Sequence, residues 1–545
     1  MGQFSIITSF THQKLPKYWM TRWTLPTFLI HQLYCISLGL LALLSTSGAI
    51  AQATYDTAEQ RLQSAIATPE FMLNHWIELP QAPTKLKSRL HKLSLREAIL
   101  LALRYNPNIQ NAELDRVVQR YQLRTAYNQF ELQYALGGAA SIQHSRFSQV
   151  GSATNHALIV SPEANFQTPL GTRFNLRIDN NANINTNYSP VLNFSLTQPL
   201  LRGLDPAVNQ TSLRNAIDMD ALNRLNLNQA VMNQITQVIT NYRALILSSN
   251  NLENQQRQLT EARTSFKVNE QKIKSGQLAP TANVQQSYQI ESLNLMVEQA
   301  QNDFQNSAQT LLQTIGLDPH MRLSVPQDVT VTHLTIPDLD ATIATALSHN
   351  TQYLAQKMAL AADERAYRVA KNQQLWQLDL SANVQSGALT SVDGVRGLRS
   401  IYNGHNINES AQLMLTIPIN DVNRKGQLIQ AKITLEKDRL NLQALKRALI
   451  TEVTNAINTL KSQVKRYHLA QKQVNLATQS YELEKQKQQA GIATSLDVNN
   501  TQNQLLQAQA NLIGVKVAYL NQLSALQRLI GTTLKAWHIN LRYGQ

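Results

Sequence analysis

Acid–base, metal or nucleophilic chemistry would have to come from the 12 histidines, the single cysteine or paired carboxylates of this 545-residue chain. The histidines are dispersed. No His-x-x-x-His pair places two imidazoles on one helical face, and no carboxylate stands beside one at a metal-ligand spacing. There is no phosphate-cradling glycine loop and no Gly-x-Ser-x-Gly elbow. The residues predict no catalytic, cofactor-binding or metal-ligating set, so an enzyme is not expected. The net charge of +14 raises nucleic-acid binding, but the basic residues are scattered along helical stretches without a dense stripe. A solvated surface accounts for them, and nucleic acid is not an expected partner.

The elements that could position anything begin with a leader. Residues 28–45 are Leu-rich and apolar apart from His31, Gln32 and a few small polar groups. They follow Lys17 and Arg22 and precede Ala49-Ile50-Ala51 and Ala51-Gln52-Ala53. A basic stretch, an apolar core and a small-x-small end predict a signal peptide over 1–53, cleaved after Ala51 or Ala53. An uncleaved anchor is the other reading. A start at Met20 would give a leader of ordinary length. Cys35 lies inside this segment and lacks the small preceding residue of a lipoprotein site, so the mature chain would have no cysteine. No later apolar run reaches the roughly 20 residues of a membrane helix. Any membrane crossing must use strands.

The rest of the chain is duplicated. Ile99, Ala102, Leu103 and Asn106 recur as Ile343, Ala346, Leu347 and Asn350. Leu196-Thr197-Gln198-Pro199-Leu200 returns as Leu415-Thr416-Ile417-Pro418-Ile419, and Lys272 to Gly276 as Lys487 to Gly491. Three matches in one order define two repeats. The expected organisation is a leader, an extension over 54–92 of unassigned role, a first repeat over 93–316, a linker over 317–338, a second repeat over 339–531 and a tail over 532–545.

Each repeat reads as helix, strands, long helix, turn, helix. Residues 94–131 recur near 3.6, and Ser94 with Glu97 forms a capping-box pattern. The period then becomes two, over about 132–201 and 376–419. Phe174, Leu176 and Ile178 alternate with Asn175, Arg177 and Asp179, and Leu378, Leu380 and Ala382 with Asp379 and Ser381. Such patterning suits a membrane barrel with a wet lumen, or a sheet half-buried on a soluble core. After Pro199 and Pro418 the helical period returns over about 205–275 and 422–490. Neither 207–274 nor 427–490 contains Gly or Pro. At 1.5 Å per residue each stretch gives a rod roughly 100 Å long, which must pack against partners to be stable. Shorter helices follow over about 283–316 and 497–531.

On these residues the chain resembles the TolC family of outer-membrane channels. The carriers are Thr197 to Gly203 with Thr416 to Asp421, and the turns Gly491 to Val498 and Gly276 to Val284, the latter one residue longer with Asn283 where Asp is usual. The resemblance implies a mostly helical α+β fold, with duplicated helical hairpins forming a periplasmic tunnel. It also implies four strands per subunit, closing into a 12-stranded barrel only in a homotrimer. An open membrane sheet with unpaired edges agrees with such closure. The implied partners are outer-membrane lipid, a periplasmic adaptor and an inner-membrane transporter, met at the turns containing Gly276, Gly491, Val284 and Val498. Asp497, presented three times around an axis, would make a cation-attracting gate, with Asn283 removing a second charge. Its position also suits an N-cap. Pro199 and Pro418 mark the strand-to-helix turns. The excess around 165–187 reads as an added hairpin or a longer loop. The implied function is an exit duct for efflux or type I secretion, which share one duct. The alternative is a periplasmic coiled-coil scaffold.

Overall fold

The computed structural model describes residues 93–541, apart from 148–150, 184–187, 278, 280, 322, 325, 327–333, 388–400, 402–405 and 491. The expected leader, the extension over 54–92 and Gly491 lie outside the described residues.

The first repeat opens with α1 (Leu95–Tyr105) and α2 (Pro107–Asn128), continues through β1 (Gln133–Phe147), β2 (Gly151–Gln167), β3 (Arg173–Asn183) and β4 (Tyr188–Pro199), and ends with α3 (Pro206–Asn209), α4 (Thr211–Lys274) and α5 (Ala282–Ile315). The second has α6 (Leu339–His349), α7 (Thr351–Asn372), β5 (Gln377–Gly387), β6 (Ile407–Thr416), α8 (Val422–Gln489) and α9 (Ser495–Leu529), followed by a short α10 (Thr533–Ala536). The fold is mostly helical with one sheet, as expected. At 64 and 68 residues, α4 and α8 extend roughly 100 Å each.

Two expectations meet a different structure. The helix predicted over 94–131 is broken between α1 and α2. Asn106 sits in extended conformation, and its side-chain oxygen accepts the N–H groups of Asn108 (2.8 Å) and Ile109 (3.2 Å). Pro107 at the first helical position has no N–H to lose there. The Asn106 Nδ2 also donates to the carbonyl of Thr314 at the end of α5 (2.7 Å). The second repeat repeats the device: Asn350 caps α7 through the Tyr353 N–H (2.9 Å) and donates to the Leu529 carbonyl (2.9 Å). One asparagine thus starts a helix and holds the end of the returning one in each half.

The second difference is the strand count. The sheet has six strands, not four, in the order β1-β2-β3-β4-β5-β6, all antiparallel. The recurrence of Leu196–Leu200 as Leu415–Ile419 equates β3 and β4 with β5 and β6, so the excess is an added hairpin, and it is β1–β2 (Gln133–Gln167), ahead of the expected 165–187. Among the described residues β1 and β6 each have one unpaired edge, and the sheet is open.

The core lies where the repeats' opening helices meet the long rods. Ala98, Ile99, Ala102 and Ile109 pack with Val231, Ile235, Val238, Ile239 and Leu245 of α4 and with Leu311, Leu312 and Ile315 of α5. Ala346 packs with Leu449, Val453, Ile457, Leu460, Tyr519 and Leu526. Both sets recur every three or four residues, the spacing that keeps one helical face against a neighbour. Beyond them the hairpins are held by small clusters, Leu259–Ala262–Leu293 and Ala470–Leu512–Val515.

Candidate functional site

Two surfaces position chemistry: the faces of the sheet and the turns of the two long hairpins. Register places Leu136, Leu158, Leu176, Phe194 and Val384 on one face of the sheet, and Glu163, Asn175, Arg177, Asp179, Asn193 and Asn383 on the other. The apolar face is open to its surroundings, with Leu136 at 76% and Ile142 at 74% exposure. Phe166, Phe174 and Phe194 form a row across its helix-side end, ring centroids 6.0 and 6.4 Å apart. Rows of aromatics bounding an apolar band suit a bilayer interface. The polar face is internally satisfied: Glu163 accepts from Asn165 (2.7 Å) and Asn175 (2.6 Å), and Asp179 from Ser161 (2.7 Å), Asn193 (3.0 Å) and Arg177 (2.7 Å). Among the described residues no helix is long and apolar enough to cross a membrane.

Pro199 ends β4 opposite Asp379 of β5. Pro418 follows β6, and the chain turns into α8 through Asn420 in the left-handed region (φ 56°) and Asp421, whose side chain accepts the Arg424 N–H (3.0 Å). Asparagine tolerates that backbone better than other non-glycine residues. The structure therefore places both prolines at strand-to-helix junctions.

The two hairpin turns are unequal. The first closes through Gly276 (φ 73°), with the Gln277 N–H on the Lys272 carbonyl (2.8 Å). Thr281 precedes α5 without a side-chain cap, and the buried Asn283 Oδ1 has no hydrogen-bond partner. The second turn is capped. The N-cap is Thr494, not Asp497: the Thr494 hydroxyl accepts the Asp497 N–H (3.2 Å), and the carboxylate of Asp497, third in the helix, accepts from the Thr494 N–H (3.0 Å) and hydroxyl (2.6 Å). This is the reciprocal capping box. Val284 is 72% exposed and its counterpart Val498 is buried. Ile492, missed in the sequence, takes the exposed apolar place on the second turn.

Hydrogen bonds from the Thr494 side chain and backbone hold the fully exposed Asp497 carboxyl below the ordinary carboxylate value. Its contribution to the cap is complete above the unfolded value and is lost as pH falls through the lowered one. With Thr494→Val the start of α9 should fray at a higher pH on acidification than in the wild type. Amide hydrogen exchange over 495–501, followed down from neutrality, reads this; coincident profiles would remove the assigned cause.

Neighbouring hairpins are tied by α9 lying on α4. Arg243, buried in α4, donates to Asn521 (3.0 Å) and Ser524 (3.1 Å) of α9, and Asn499 donates to Ser265 (3.3 Å). Burial pushes the Arg243 guanidinium down to about 10. The Tyr242 hydroxyl donates to the Leu93 carbonyl (2.7 Å), and burial raises it to about 12. Sequence reasoning passed over Arg243, although it interrupts the apolar stripe of Tyr242, Leu245 and Ile246.

Residues 342–532 match the family described as outer membrane efflux protein. The chain is similar in structure to the CmeC outer membrane channel of Campylobacter jejuni, at 14% identity and a TM-score of 0.61, covering 83% of this chain and 91% of that one. The VceC outer membrane protein of Vibrio cholerae is 17% identical with a TM-score of 0.58, covering 80% and 96%. The MtrE outer membrane channel of Neisseria gonorrhoeae, in its open state, is 14% identical with a TM-score of 0.58, covering 83% and 97%. At such identities the likeness establishes the fold. No curated protein matches the sequence.

Proposed function

We propose that this chain, which has the fold of the TolC-like outer membrane channels, is the outer-membrane exit duct of a tripartite efflux pump or type I secretion system. The observation that carries the reading is the open sheet with one apolar and one polar face, standing on helical rods roughly 100 Å long. Unpaired strand edges cannot remain in lipid, and an apolar face of this extent has no place in water. Closure by three copies satisfies both, with the apolar face on outer-membrane lipid, the polar face lining a water-filled bore and the helices reaching into the periplasm. A coiled-coil scaffold gives no use to the sheet's apolar face. Conduction is passive; an inner-membrane transporter supplies the energy through a periplasmic adaptor that meets the exposed Val284 and Ile492 at the hairpin turns.

The gate sits at those turns and depends on Asp497, since Asn283 adds no charge. Purified wild-type protein in planar bilayers should be cation-preferring and blocked by divalent ions from the periplasmic side. Asp497→Ala should weaken that block several-fold. Unchanged selectivity and block would reject the acidic gate, while failure of the wild type to conduct or to fractionate with outer membranes would reject the duct.

A further inference from the structure

The six-stranded sheet carries a consequence for the bore. The hairpin β1–β2 is not a detached appendage. Its apolar residues continue the apolar face of the other four strands: Leu136 and Leu158 share that face, and Tyr134, Ala164, Leu176, Phe194 and Val384 form one cross-strand row. Its turn with β3 is built into the base of the sheet. Thr172 Oγ1 bonds Gln198 Oε1 of β4 (2.5 Å), and Asn209 Nδ2 donates to the Pro169 (3.0 Å) and Gly203 (2.8 Å) carbonyls. Gly171 (φ 82°) lies so close that a Cβ there would stand 2.4 Å from the Gly203 oxygen. The turn and the strand-to-helix junction are thus one packed unit. Widths agree with this. Six strands about 4.8 Å apart and tilted about 40° occupy an arc of roughly 38 Å, and four strands only about 25 Å. The four helices at the sheet end, α2, α4, α7 and α8, with axes about 9–10 Å apart, occupy roughly 36–40 Å. The six-stranded sheet is as wide as the helical wall that carries it.

We infer that β1 of one copy pairs with β6 of the next, so that three copies close an eighteen-stranded barrel with a bore about 1.5 times the diameter of a twelve-stranded one. The occupant of each free edge is a second copy of this chain. The inference rests on the trimeric duct reading. It assigns the outer-membrane segment a size cutoff set by the added hairpin, admitting bulkier cargo than the same helices would deliver to twelve strands.

Cysteine pairs on the polar face test it. In full-length Cys35→Ser protein, Gln412→Cys in β6 is combined in turn with Ala135→Cys, Ala139→Cys or Gln143→Cys in β1, and separately with Asn175→Cys in β3. A short bis-maleimide is then added in membranes. The expected result is a covalent dimer-and-trimer ladder with at least one β1 position and none with Asn175→Cys. A ladder through Asn175→Cys without one through β1 would place the hairpin outside a twelve-stranded wall and overturn the inference. So would a trimer, intact on native gels, that cross-links at neither strand. Absence of any trimer on native gels would instead strike the duct reading beneath it.

Discussion

Gly316→Ala should destabilise the folded protein by about 3 kcal/mol or more, the sum of left-handed strain and a backbone collision. Gly316 ends α5 with φ 90°, and its N–H and that of Leu317 close the helix on Leu312. A Cβ there would lie 2.3 Å from the Tyr105 carbonyl oxygen, in the segment where Asn106 joins α1, α2 and α5. Neither backbone can retreat without opening the main core cluster. Gly276→Ala is the internal control. It has the same backbone hand (φ 73°) but nothing within 4 Å of an added Cβ, so it should cost only about 1–2 kcal/mol, the left-handed penalty alone. Gly531→Ala, whose Cβ would stand 2.6 Å from the His349 oxygen, should behave like Gly316→Ala. Thermal loss of helical circular dichroism in detergent makes the comparison. Equal midpoints for the Gly316 and Gly276 variants would refute the assigned collision.

Asp220→Ala should cost about 3–5 kcal/mol, the range for removing one partner of a buried ion pair. Asp220 in α4 meets Arg116 of α2 at 2.6 Å, with side chains 10% and 4% exposed, and Arg224 lies 3.4 Å away on the same carboxylate. The buried Arg116 guanidinium already has an unpartnered Nε. Losing Asp220 strands a cation between two helices. Replacing both, as Arg116→Met with Asp220→Leu, removes the charge together with its counter-ion and should lie close to wild type. A double variant as unstable as the single one would mean that the site needs the ion pair itself and not merely neutrality.

The helical frame was legible because its signals are local. Glycine- and proline-free runs give the rods, Ser94 and Glu97 form the predicted reciprocal cap, and the recurrence of Asn106 as Asn350 marks equivalent places. What escaped is tertiary. Asn106 was read as a repeat marker, and its double role shows only when the carbonyl of Thr314 is brought beside it. The strand count was obscured by β1 and β2 themselves. Gly137-Gly138-Ala139-Ala140 carries almost no contrast between faces, Leu158-Ile159-Val160 is apolar on both, and Pro162 breaks the bonding to β3 for two residues. At the second turn Asp497 was visible, yet its partner Thr494 sets the helix start because a hydroxyl three residues ahead can reach the free N–H. Arg116 follows Ile109 by two turns on one face of α2, a signal that a charge was going inward, but arginines on helices are common enough at surfaces to hide it.

The hairpin that widens the sheet also obeys a parity rule. Strands enter in twos, so the chain that leaves α2 for the sheet still returns to α3 on the side it came from, and every later helix keeps its direction. A barrel built this way can change its circumference in steps of two strands per subunit without reversing a single rod. In the proposed duct, bore and lock are therefore separable inheritances: residues 133–167 set the width at one end, and the hairpin turns hold the proposed gate at the other.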